Sequence, residues 1–277
     1  MNLDEFMGAI VPDGVLILAK RVLRKDKDGH PYTGFVHYPI YTRDALQTKV
    51  SSIDELRGDV YFAPASYKEG FHQDSRGKKV IRVRANVRSL RALWMDIDFK
   101  AISASALQAN EGNYLKAVVG ALRTFASNTN FPSPSILVSS GNGVHAYWPL
   151  DEAVELDHWQ RVADALKECT KVHGLPVDHA CTADACRVLR PPGTRNWKDP
   201  ENPKPVRVLY SRDEKFSIGD LEGLLAPYLV TRKVSAATSS MYDELTGGMI
   251  RRDPNPSSFG AVVKHCAVLR TTVETNG

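Results

Sequence analysis

The stretch Leu93-Trp94-Met95-Asp96-Ile97-Asp98-Phe99 decides how the rest of the chain is read. Side chains on a strand alternate between faces, so Asp96 and Asp98 share one face while Leu93, Met95, Ile97 and Phe99 share the other. The apolar set is expected to pack on helices, leaving the two carboxylates a short distance apart over an open surface. Neighbouring carboxylates repel unless a cation sits between them or one takes a proton. A Mg²⁺ or Mn²⁺ pair is the usual reason for such a layout, because hard cations take oxygen ligands and keep positions free for substrate phosphates. Taken alone, an Asp-x-Asp pair is also what an acidic, water-facing strand looks like. The flanking sequence separates the two.

Upstream, Arg76 to Arg91 holds Arg76, Lys78, Lys79, Arg82, Arg84, Arg88 and Arg91 with no acid. A one-sign run beside two acids points to a polyanion partner, whereas a merely solvated face is usually mixed in sign. Lys79, Arg82, Arg84 and Arg88 are the candidate contacts to such a polyanion, and a merely soluble basic strand stays open on this feature alone. The whole chain carries only +4, with 43% hydrophobic and 25% charged residues, which places it among ordinary globular proteins rather than disordered ones. No apolar run approaches a membrane span, and no basic start followed by an apolar core marks a signal peptide. Cys169, Cys181, Cys186 and Cys266 form no dense framework, so a reducing, cytoplasmic setting is expected, the host cytoplasm if the protein is viral.

Further upstream, residues 13–22 read as a buried strand, 25–32 as a loop or hairpin tip, Ser51 or Ser52 as the cap of a short helix, and 59–66 as a strand broken by Pro64. The alternation Val80-Ile81-Arg82-Val83-Arg84 leads into the central strand. Downstream the period changes. Leu115, Val118, Val119, Leu122 and Phe125 recur at helical spacing within 103–127, which predicts one amphipathic helix on the sheet. Ser135-Ile136-Leu137-Val138-Ser139, the turn Ser140-Gly141-Asn142-Gly143 and Val144-His145-Ala146-Tyr147-Trp148 read as a hairpin. A second helix is expected over 151–173, stopped by Gly174. Strands follow at 186–190 and 206–210, and a helix capped by Ser217 runs toward Leu229. This order predicts an α/β (α+β) fold with helices packed on a mixed sheet. Residues 1–232 form the expected catalytic domain. Residues 233–277 read as a linker and the start of a helical region that continues into something larger.

Three pieces carry chemistry. The first is the Asp96/Asp98 pair. The second is the Gly-rich turn before His145, with Ser139, Ser140, Gly141 and Gly143 offering backbone N–H groups to an anion. The third is Asp178 or Asp184, followed by Arg187, Arg190 and Pro191-Pro192-Gly193-Thr194-Arg195-Asn196. Carboxylates for metal and guanidiniums for phosphate charge fit phosphoryl or nucleotidyl transfer. Nothing marks Cys181 or Cys186 as a thiolate nucleophile. The spacing of Cys169, His173, His179, Cys181 and Cys186 matches no standard zinc pattern, so zinc is not expected.

In this order the three pieces resemble the archaeo-eukaryotic primase superfamily, especially the primase-polymerase (PrimPol) catalytic domains of phages and plasmids. Leu93-Trp94-Met95-Asp96-Ile97-Asp98 matches that family's hhhDhD strand. Gly141-Asn142-Gly143-Val144-His145 corresponds to its Ser-x-His element, with Gly143 where the family has Ser. Val177-Asp178 matches its later hydrophobic-Asp, with Asp184 as the rival. Arg187 to Asn196 is similar to the Arg-x-x-Arg-x-Pro-Gly-Thr-x-Asn segment of phage members. The resemblance covers roughly residues 55 to 200 and implies an RRM-like catalytic sheet joined to an N-terminal α/β unit.

It also implies a DNA primase or DNA polymerase working by two Mg²⁺ or Mn²⁺ ions on Asp96, Asp98 and Asp178. His145, with the turn and Arg187 and Arg190, would hold an incoming dNTP or NTP. A single-stranded DNA template would be the partner, a fused or separate helicase would follow, and no membrane is involved. Two other readings stay open: a metal-dependent nuclease, and a non-catalytic replication-initiator module that binds DNA.

Overall fold

The computed structural model describes residues 1–229, so the linker and helical region expected at 233–277 lie outside the described residues. The chain opens with α1 (Leu3–Ile10). The Asn2 side chain accepts from the Glu5 N–H while Glu5 accepts from the Asn2 N–H, a capping box that fixes where the helix begins. A long hairpin of β1 (Leu16–Lys25) and β2 (Pro31–Ile40) follows, then α2 (Arg43–Glu55), capped by Thr42 rather than by Ser51 or Ser52. β3 (Val60–Phe62) pairs with β1, giving an N-terminal sheet in the order β2-β1-β3.

β4 (Ala65–Tyr67) moves to a second sheet, because Pro64 ends the first strand. β5 (His72–Gln73) and β6 (Lys79–Val80) make a small hairpin. Next come β7 (Val87–Asp98), α3 (Ala104–Ala109), α4 (Tyr114–Thr129), β8 (Ile136–Ser139), β9 (Gly143–Val154) and α5 (Leu156–Val172). The one-turn α6 (His179–Thr182), the two-residue strands β10 (Arg195–Asn196) and β11 (Lys204–Pro205), β12 (Arg207–Ser211) and α7 (Ile218–Leu224) complete the fold.

The second sheet runs β12-β8-β9-β7-β4. β9 lies between β7 and β8, so the succession β7-α4-β8-β9-α5 gives the RRM-like β-α-β-β-α sheet expected, widened by β4 beside β7 and β12 beside β8. The strand pairings are antiparallel where a mixed sheet was expected, and parallel pairing is limited to an isolated bridge between Leu150 and Phe216. The cause is the tight β8–β9 turn and the returns of β4 and β12 along the two edges.

Five further expectations are corrected. The helix read across 103–127 is two, because Glu111 and Gly112 both adopt positive φ (57° and 75°) and Asn113 recaps α4. The second long helix starts at Leu156, since 151–154 extend β9. The 80–84 alternation pairs only at Lys79–Val80, and the segment 186–190 makes a single bridge, Leu189 to Phe62. Finally, the acid face of β7 is not open along its length. Trp94 lies on it by alternation yet is fully buried, stacked on Trp159 at 4.8 Å with its Nε1–H donated to the Cys181 carbonyl. Burial of these two indoles is a large apolar contribution and pins α5 and α6 against the strand just before the acids emerge.

Candidate active site

The β7–β9 register places Asp96 opposite His145 and Asp98 opposite Gly143, so two sequence-distant pieces become one feature. Directly opposed residues point to the same face. The His145 Nε2 lies 3.7 Å from an Asp96 carboxylate oxygen, and its Nδ1 is 3.3 Å from the Tyr147 hydroxyl. Gly143 has no room for a side chain: a Cβ there would stand 2.5 Å from the Ile97 carbonyl oxygen. That close approach of β7 and β9 excludes serine at this position without a backbone shift.

After α5 the chain returns beside β7. The Asp178 N–H donates to the Asp96 carbonyl at 2.8 Å, which puts the Asp178 side chain at the same end of the strand. One Asp178 oxygen caps α6 through the Ala180 and Cys181 N–H groups, and the other accepts from Arg187 at 2.7 Å. Asp98 accepts from the Lys100 N–H, and its second oxygen is 3.1 Å from Lys100 Nζ. Asp184 instead accepts from the Cys186 N–H in a local turn. Asp96 is thus flanked by His145 and by Asp178 with its partner Arg187, Asp98 follows two residues along β7, and Asp184 is engaged in its own loop.

Arg190 is used differently from expectation. It is only 12% exposed, donates to Asp59 at 2.9 Å and lies over the Tyr61 ring at 4.4 Å. Asp59 also accepts from Arg21 and from the Trp197 N–H, while Asp54 accepts from the Arg195 N–H and the Trp197 indole. These two acids of the N-terminal unit staple the 190–197 segment in place. Neither was singled out from sequence, because no local pattern couples residues 54 and 59 to a segment more than a hundred positions later.

The turn from Ser139 to Gly143 is partly closed on itself. The Ser140 N–H donates to the Gly143 carbonyl and the Gly141 N–H faces the Ser139 hydroxyl. Gly141 is in the left-handed region (φ 91°), packed so that a Cβ would meet Asn196 and Lys204 at about 3 Å. Asn196 donates to the Ser140 carbonyl, and Lys204 Nζ reaches the Asn142 side chain at 2.7 Å. A cleft of about 470 Å³ opens here beside Asp98, lined by Lys100, Asn142, Asn196, Lys198 and Lys204. Its lysines were not foreseen, because they are scattered over a loop of mixed charge.

The basic run does not stay together. Lys79 is exposed over the Phe71 ring, Arg84 donates to Gln160 on α5, and Arg88 is exposed on β7. Arg82 turns inward to His37 and to the Cys186 carbonyl.

Electrostatics follow from this packing. Burial pushes the Asp96 carboxyl up to about 6; Arg187 and Arg190 oppose that rise, and Asp178 and Asp98 add to it. Burial, with the charges of Arg190 and Arg187, lowers His145 to about 3, so its imidazole is neutral at physiological pH. Burial also raises the thiols, Cys186 to about 11 and Cys181 further, which leaves neither ionised as a nucleophile. The acids suit a hard divalent cation: three carboxylates without sulfur, one with a raised pKa that a cation would relieve. One Asp98 oxygen is taken by Lys100 and one Asp178 oxygen by Arg187. Among the described residues, the one trio with ligand atoms all within 4.8 Å is Asp26, Asp28 and His30, at the exposed tip of the β1–β2 hairpin. No helix among those residues is long and apolar enough to cross a membrane.

No protein-family model matches the chain, and no curated protein sequence matches it. Among solved structures it is similar to the AEP domain of the primase-polymerase of cyanophage S-2L, at 15% identity and a TM-score of 0.48, covering 76% of this chain and 88% of that one. It is similar to the primase RepB′ at 12% identity and a TM-score of 0.47, covering 95% of this chain and 74% of that one. The polymerase domain of *Mycobacterium tuberculosis* ligase D, solved with DNA, gives 14% identity and a TM-score of 0.39, covering 88% of this chain and 85% of that one.

Proposed function

We propose that this chain is a template-directed nucleotidyltransferase, a primase-polymerase acting in DNA replication, of the archaeo-eukaryotic primase type that its motifs resemble. One observation carries the proposal: Asp96 and His145 directly opposed across β7 and β9, with Asp178 hydrogen-bonded to the same Asp96 backbone. Asp96, Asp98 and Asp178 are the residues to hold two Mg²⁺ or Mn²⁺ ions, and Asp178 is preferred to Asp184 for its place beside Asp96. Bound there, such ions lower the pKa of an attacking hydroxyl and neutralise a triphosphate.

The protein's own groups do the rest. If the Tyr147 hydroxyl donates to Nδ1, the neutral His145 presents Nε2–H as a donor to a phosphate oxygen. Arg187, released from Asp178, and the lysines of the cleft beside Asp98 offset phosphate charge. The partners are then a single-stranded DNA template, a dNTP or NTP, and a helicase joined to or following the chain, in the cytoplasm of a phage- or plasmid-bearing cell.

The test is extension of a labelled primer on a single-stranded template with Mg²⁺ or Mn²⁺, beside the Asp96→Ala/Asp98→Ala double variant. Metal-dependent lengthening that the variant lacks supports the proposal. Shortening of the labelled strand would replace it with a nuclease, and no change with retained DNA binding would replace it with an initiator module.

A further inference from the structure

One face of the N-terminal sheet remains without a role in the site just described. The β1–β2 register sets Arg21 opposite Phe35 and Ala19 opposite His37, and β3 sets Tyr61 opposite Ala19. The Phe62–Leu189 bridge continues the sheet by one residue row and brings Arg190 beside Tyr61. All these side chains therefore share one face. Their rings touch in sequence: Tyr61 meets Phe35 edge-on at 5.5 Å, and Phe35 adjoins His37 at 6.3 Å. Guanidiniums lie along them, Arg190 over Tyr61 and Arg82 over Phe35 at 5.6 Å, with Arg82 also donating to His37.

The row carries a strong excess of positive charge. Arg21, Arg82 and Arg190 face a single acid, Asp59, which is 4% exposed and saturated by Arg190, Arg21 and the Trp197 N–H. Burial together with Arg82 and Arg24 lowers His37 to about 4, so it adds no charge of its own but reports the field around it. Phe35, His37 and Tyr61 are half-buried and stand outside the hydrophobic core, so their rings are not needed to fill it. One end of the row is Arg190, whose charge acts on Asp96 and His145. The other end runs out along the hairpin.

We infer that this face is the seat of a single-stranded nucleic acid, its phosphates along Arg21 and Arg82 and its bases against the rings and guanidinium planes of the row. The chemistry fits: single strands are held by a positive track combined with aromatic and arginine stacking, which tolerates any base. The inference rests on the nucleotidyltransferase proposal only for calling that strand the template. A triphosphate is the alternative source of phosphate, and the test separates the two.

The experiment measures binding of a fluorescein-labelled single-stranded DNA by anisotropy at two salt concentrations, using the full chain. The variants are Phe35→Ala and, at the half-buried Arg21 opposite it, Arg21→Gln. Each is expected to weaken binding by about tenfold, the scale of one lost base stack or of one lost phosphate contact. Arg21→Gln should also flatten the salt dependence. In extension assays the same variants should raise the template concentration needed, with the rate recovering at saturating template. Unchanged DNA affinity in folded Arg21→Gln and Phe35→Ala overturns the inference, and a raised nucleotide KM with unchanged DNA affinity assigns the row to the triphosphate instead. Asp96→Asn that binds DNA normally but still extends primers would remove the catalytic proposal while leaving this surface in place.

Discussion

Asp96→Asn should make the metal-free protein more stable while abolishing its chemistry. The Asp96 carboxyl is raised from 3.8 to about 6 by burial and by Asp178 and Asp98. For an acid raised on folding, the favourable term is whole below about pH 3.8 and is lost as pH rises through about 6, because the folded chain then gives up a proton it holds more tightly than the unfolded chain does. That span corresponds to roughly 3 kcal/mol of destabilisation by the ionised group at neutral pH. With 24% of the side chain meeting water, this is a ceiling. For a folded unit of this size, 1 kcal/mol moves Tm by roughly 2–4 °C, so asparagine should raise Tm by about 6–12 °C at most.

The assay is thermal unfolding in a chelator at about pH 7.5 and again at about pH 5, where the folded wild-type carboxyl is largely protonated and the gap should shrink by about half. Added Mn²⁺ should then stabilise the wild type and leave the variant unmoved, since only the former keeps the full oxygen set. An asparagine variant less stable at the higher pH, or a gap that ignores pH, would refute the claim that Asp96 is held against its own electrostatics for function.

The same group predicts an acid limb. Primer extension should fall as pH drops toward about 6, and raising Mn²⁺ should move that limb to lower pH, because metal and proton compete for one carboxylate. His145→Ala should raise the nucleotide KM at least about tenfold, about 1.4 kcal/mol of lost binding, with a smaller effect on DNA affinity measured separately. Asp59→Ala removes the acceptor of Arg190, Arg21 and the Trp197 N–H at a buried position and should cost about 3–5 kcal/mol in denaturant unfolding, with Asp59→Asn costing less. Gly143→Ser, though it restores the family's residue, should lower both Tm and extension, since its Cβ must push β7 and β9 apart.

The parts of the fold legible in sequence were those with a local signal. The β8–β9 hairpin and its Gly-Asn-Gly turn, the apolar face of α4 at Val118, Leu122 and Phe125, and the Ser217 cap of α7 appear as read. What failed was decided by neighbours far along the chain. Trp94 looks outward by alternation, yet Trp159 arrives from α5 to bury it. Arg82 reads as one member of a continuous basic run, yet His37 and the Cys186 carbonyl draw it away from that run onto the N-terminal sheet.

The same division runs through the site. Asp96, Asp98 and His145 were readable because spacing on two strands sets their faces. Asp178 was favoured over Asp184 from the motif resemblance, but its backbone hydrogen bond to Asp96 carries no signal in the sequence. Arg190 was read as a phosphate ligand when its fixed partners, Asp59 and Tyr61, carry no signature near it in sequence.

The most direct test of the central claim is single-nucleotide incorporation on a primed template with one templating base, each nucleotide offered separately with Mg²⁺ or Mn²⁺. The arrangement of Asp96, Asp98, Asp178 and His145 predicts addition of the complementary nucleotide alone, lost in Asp96→Asn and Asp178→Asn and kept in Asp184→Asn. Addition that survives Asp96→Asn, or that ignores the templating base, would contradict it.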